Sequence, residues 1–160
     1  VDSVIDRLRA EMDDLIQSPE FAEVIEVTVP TKYDDPALVV VNEYPYLFVA
    51  PQVDQPVSET AGRAGYSVRA LNVNIGLVIN VADYFDPTVS ENPGSKPLVQ
   101  AVGLIQKRLL RLSKRRLDSM PGVRNVVIGA TQYVPDVRNG TFVRMAVITL
   151  VVEKQYQHEE

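Results

Sequence analysis

Cysteine is absent from the 160 residues, and histidine occurs once, at His158. Without thiols there is no disulfide scaffold, no thiol nucleophile and no cysteine-based zinc site, a composition that suits a reducing compartment. A single imidazole two residues from the end of the sequence cannot be held in catalytic geometry, which removes Ser-His schemes and His-rich metal sites. Long apolar runs are also missing. Nothing approaches the roughly 18 residues of a membrane span, and no basic-then-apolar leader opens the sequence, so the expectation is a soluble, non-secreted chain. "GRAG" at Gly62 to Gly65 lacks the spacing and the strand-to-helix position of a phosphate cradle and reads as a loop. Basic charge is short overall. Sixteen Lys and Arg face 21 Asp and Glu, a net charge of −5 that argues against a general nucleic-acid binder. No enzyme chemistry and no cofactor are expected.

What the sequence does contain is ordinary globular patterning, with 46% hydrophobic and 23% charged residues. A single domain over 1–160 is the simplest reading. "VDSVIDRLRAEMDDLIQ" spaces Val1, Ile5, Leu8, Met12 and Leu15 by fours and threes, which predicts an amphipathic helix over 2–17. Pro19 stops it and can open a new turn. "EVIEVTV" at 23–29 alternates apolar and polar residues and reads as a short strand. "ALVVVNEYPYLFVA" reads as a second strand, at an edge or bulged because Pro45 lacks a ladder donor. Residues 51–66, rich in proline and glycine, read as a long exposed loop.

The clearest strand is "LNVNIGLVINV", with Leu71, Val73, Ile75, Leu77, Ile79 and Val81 on one face. Asn72, Asn74, Gly76 and Asn80 lie on the other, with Val78. A second helix is expected over 97–119, burying Leu98, Val102, Ile105, Leu109 and Leu112 and stopping at Gly122. A hairpin over 124–156 closes the chain, turning across "PDVRNG" with Asn139-Gly140 as the turn pair. "MAVITLVV" is apolar on both faces, as in a central strand. The fold class is therefore α+β, a mainly antiparallel sheet with its strands within 23–82 and the final hairpin, and two principal helices packed on one face.

One charge feature stands apart. Six basic residues fall within positions 107–116, and without them ten basic residues face 21 acidic ones, a balance of −11. At about 100° per residue, Lys107, Arg108, Arg111, Lys114 and Arg115 span an arc of about 120° opposite the apolar face. Three readings stay open: a solvated helix face, a contact with an acidic neighbouring subunit, and nucleic-acid binding. The last lacks interleaved aromatic residues to stack bases. Asp54, Glu59 and Arg63 in the 51–66 loop are candidates for reaching a neighbour. Asn72, Asn74 and Asn80 form a candidate polar sheet face, either solvated or turned to a wet interface. Adjacent carboxylates at Asp13-Asp14 do not share a helix face and read as solvated.

The "VDSVIDRLRAEMDDLI" helix, the "PQVDQPVSETAGRAGYS" connection, the "PLVQAVGLIQKRLLRL" helix and the hairpin "VVIGATQYVPDVRNGTFVRMAVITLVVEKQY" together resemble the tail terminator (tail completion) family of tailed bacteriophages. The likeness lies in the order and texture of elements over nearly the whole chain. It implies a structural virion protein of the tail and neck, made in the host cytoplasm, that assembles with itself into a ring, usually of six. Such a ring ends tail tube polymerisation, contacts the tail tube protein and the head-tail connector protein, and lets DNA pass through its lumen unread. No membrane partner is implied. Within the virion class that the resemblance implies, the alternative is a head-completion or connector-adaptor neck protein, and outside it a small ligand-binding α+β domain.

Overall fold

The computed structural model describes residues 2–25, 27, 45–56, 66–80, 95–115, 117, 121–138 and 141–157. Helix α1 (Asp2–Ile16) follows from its spacing: Val4, Ile5, Leu8, Met12 and Leu15 are all buried. Ser18 then serves two helices. Its hydroxyl donates to the Leu15 carbonyl at 2.6 Å and accepts from the Phe21 N–H at 3.4 Å, capping the short α2 (Pro19–Ala22), which starts at proline. No strand follows α2 in the described part of 23–29. The Phe21 carbonyl instead takes the N–H groups of both Val24 and Ile25, at 3.0 Å each, so the chain turns here and buries Phe21 and Ile25.

Four antiparallel strands form one sheet in the order β1-β2-β4-β3, from β1 (Tyr46–Pro56), β2 (Tyr66–Asn80), β3 (Val123–Arg138) and β4 (Thr141–Gln157). The expected edge strand is β1, which begins directly after Pro45. It continues through residues read as loop: Val53 pairs with Asn72, Asp54 with Leu71 and Pro56 with Arg69. Two features permit this. The register shift between Pro51 and Val53 absorbs one extra residue, and an edge strand need donate hydrogen bonds on one side only, so proline is tolerated. Asp54 is thus a strand residue, while Glu59 and Arg63 lie outside the described residues.

The hairpin is likewise longer than expected. Pro135 to Arg138 continue β3, and Arg138 faces Thr141, while the expected turn pair Asn139-Gly140 lies outside the described residues. β3 is the other edge strand, which again accommodates its proline. β4 lies between β2 and β3, the central position its apolar run demands.

Helix α3 (Ser95–Lys114) buries Leu98, Ala101, Val102, Ile105, Leu109 and Leu112. It stops before the expected residue 119. Leu117 has φ 55 with its side chain buried, so burial of a leucine offsets a left-handed backbone that costs roughly 1–2 kcal/mol. Gly122 (φ 83) opens β3 instead: its carbonyl accepts from Gln155 N–H at 2.8 Å, and an added Cβ would lie 2.6 Å from the Gln155 carbonyl oxygen.

One core joins α1, α2 and α3 to the sheet face carrying Leu47, Val49, Leu71, Val73, Ile75, Leu77, Ile79, Ala146, Ile148 and Leu150. On the opposite face a smaller cluster gathers Tyr46, Phe48, Ala50, Val78 and Val143. The architecture is α+β, a four-stranded antiparallel sheet with helices packed alongside.

Candidate functional site

Helix α3 has two unlike flanks. Toward β3, Gln106 donates to the Thr131 hydroxyl at 2.8 Å and Ser113 donates to the Val126 carbonyl at 2.7 Å. These bonds set α3 against the β3–β4 hairpin. Toward α1, Arg108 reaches across with Nη1 at 2.8 Å from Asp14 Oδ2, 3.2 Å from Glu11 Oε2 and 3.4 Å from the Glu11 carbonyl oxygen. Glu11 is also 3.8 Å from Arg7 on its own helix.

The basic stripe is therefore not uniform. The Arg108 side chain is 14% exposed and joins two helices, so its charge is largely balanced within the chain. Lys107, Arg111 and Lys114 are exposed and make no ion pair with a described residue. Arg115 is exposed in the turn after α3, where its N–H still bonds the Arg111 carbonyl at 3.2 Å. Arg108→Ala is expected to destabilise the fold by about 1–3 kcal/mol, since it removes charged hydrogen bonds and leaves the mostly buried Glu11 without them. Lys107→Ala should stay within about 0.5 kcal/mol, because it is a surface change. Urea unfolding of the two variants checks the contrast.

Beside Arg108 lies a cleft of about 240 Å³, lined by Leu15, Glu20, Leu104, Lys107, Arg108 and Arg111. The stripe pattern marks three of these residues. Leu15 reads as core, Leu104 falls off the buried face, and Glu20 lies in the short α2, so their juxtaposition depends on how α1 and α2 pack on α3. Glu11 and Asp14 are missed for the same reason: their partner lies 97 and 94 positions away.

Exposed apolar side chains lie along α3 and on both faces of β3, with Tyr133 and Val137 on the helix side and Val127 and Val134 on the far side. Val99 and Leu110 on α3, and Val127, Tyr133, Val134 and Val137 on β3, are the exposed large hydrophobic residues of the described surface. Among the described residues no strand pairs with the outer side of β3. β1, the opposite edge, differs: Tyr46 to Ala50 are all buried, and Arg9 of α1 donates to the Val49 carbonyl at 3.3 Å.

The asparagine face is interrupted. Asn72 and Asn74 are half-buried, Asn74 Oδ1 accepts from the Thr149 hydroxyl of β4 at 3.2 Å, and the side chain of Asn80 lies outside the described residues. Val68 and Ala70 on one side, and Gly76 and Val78 on the other, are buried, so the pair is a polar island on a mostly apolar face. Among the described residues no group of three or more histidine or acidic side chains is placed to hold a metal ion. Nor is any helix there long and apolar enough to cross a membrane. The described surface thus carries a cleft lined by Lys107, Arg108, Arg111 and Glu20 beside α3 and a strand edge at β3 that no described strand covers. Comparison with known protein families and with curated proteins found no match for the chain.

Proposed function

We propose that this protein is a ring-forming structural subunit of a phage tail, a terminator that caps the tail tube and meets the head connector. The observation that carries the self-assembling part is the pair of dissimilar flanks on α3. A closed ring built head to tail needs two different, complementary patches on each subunit. A basic cleft facing α1 and an apolar strand edge at β3 are two unlike patches, each needing its own partner surface on a neighbour. An exposed 16-residue edge strand also invites pairing unless a partner covers it. The placement at the tail rests on the resemblance of element order to the terminator family, which also supplies the expected count of six. The acid balance of the chain outside residues 107–116 suits a lumen through which DNA slides without being gripped.

The role is tested by adding the purified chain to polymerising tail tube protein of the same virus. Tubes of bounded length, each with one end capped, are the expected result. Tube growth that ignores the chain, or binding confined to the connector, overturns the terminator assignment.

A further inference from the structure

We infer that the cleft between α1–α2 and α3 receives a carboxylate side chain from a neighbouring copy of the chain, with Lys107 and Arg111 as its partners across the subunit boundary. The inference rests on the self-assembling reading above and names the chemistry of one of its two patches. The charges that line the cleft decide what it can take. Arg108 is engaged by Glu11 and Asp14, so it shapes the wall more than it attracts a ligand. Lys107 and Arg111 then stand against Glu20, leaving one positive charge for an occupant to balance. One carboxylate does so.

Size and polarity agree. About 240 Å³ is below the roughly 300 Å³ at which small-molecule sites begin, and it matches one or two amino-acid side chains. Leu15 and Leu104 offer an apolar wall to the methylene stem of a glutamate or to an aliphatic residue beside it. A phosphate, with higher charge and no stem, would be set against the Glu20 carboxylate. The source of the carboxylate follows from charge complementarity, since a second copy carries a formal balance of −11 outside this one segment.

The test mixes full-length unlabelled chain with an equal amount of nitrogen-15-labelled chain, then joins amines to contacting carboxylates with a carbodiimide. Expected products link Lys107 to an aspartate or glutamate in peptides of mixed isotope, as a link between copies requires. In parallel, Lys107→Gln with Arg111→Gln is expected to weaken self-association at least tenfold, with an unchanged far-ultraviolet circular dichroism spectrum. Lys107 links found only in isotopically matched peptides overturn the inference, as does a double variant that assembles like the parent. A parent chain that never self-associates overturns the ring reading and this inference together. Assembly in the parent with no shift in the variant removes the inference alone.

Discussion

Phe48→Ala is expected to lower the unfolding free energy by about 3–5 kcal/mol and Gly76→Ala by about 1–3 kcal/mol, yet the second change should cost nothing once the first is made. Phe48 of β1 pairs directly with Gly76 of β2, and its ring lies over the glycine. A Cβ at Gly76 would stand 2.2 Å from two ring carbons, far inside contact distance. The ring has little room to move, because it is 4% exposed and shares its cluster with Tyr46, Ala50, Val78 and Val143. With Phe48 removed, the space above residue 76 opens. Alanine there then gains roughly 0.5–1 kcal/mol over glycine through lost unfolded-chain freedom. The effect of Gly76→Ala thus reverses sign between backgrounds. Urea unfolding of the four proteins in the cycle measures the coupling. Additive costs would mean that the ring does not occupy the glycine's face.

The second large effect is expected at the open edge. Val134→Lys combined with Val137→Lys should raise the dissociation constant for self-association by about 100-fold, equivalent to roughly 2.8 kcal/mol. Both side chains are exposed on β3, so neither change touches the core, and each should alter stability by no more than about 0.5 kcal/mol. Their loss removes apolar area worth about 1.5 kcal/mol per buried valine and would place one ammonium group on each face of the edge strand. Lysine on an edge strand is also a common device against strand pairing. Sedimentation velocity across a concentration series reads the shift. Association at parental strength would show that the β3 edge faces solvent in the assembly.

Much of this fold is legible from periodicity because burial follows it. The four-three spacing on α1 and α3 and the strict alternation from Leu71 to Ile79 each correspond to buried residues. The centrality of β4 follows from its being apolar on both faces, and the hairpin from Asn139-Gly140. What periodicity does not carry is competition between local bonds. Glu23 to Ile25 fit a strand pattern, but the Phe21 carbonyl captures two of their N–H groups. Prolines at 51, 56 and 135 look like loop markers, although an edge strand accepts them because one side of its backbone has no ladder to supply. The sequence points to Gly122 as the stop of the second helix, whereas α3 ends at Lys114.

The site is less legible than the fold for a related reason. The basic stripe on α3 is visible as charge, but its division into a balanced Arg108 and exposed Lys107 and Arg111 depends on α1 lying alongside. Asp14 reads as a solvated acid, and Glu11 carries no signal of its own, until the helices are brought together. In the sequence Gly76 shares a strand face with three asparagines, yet it is the seat of an aromatic ring. In each case the deciding contact spans distant segments.

Native mass spectrometry of the purified chain, paired with negative-stain images of the same sample, tests the central claim most directly. A single closed species of six subunits with an open centre is expected. A monomer, or a dimer joined through identical patches, would contradict it.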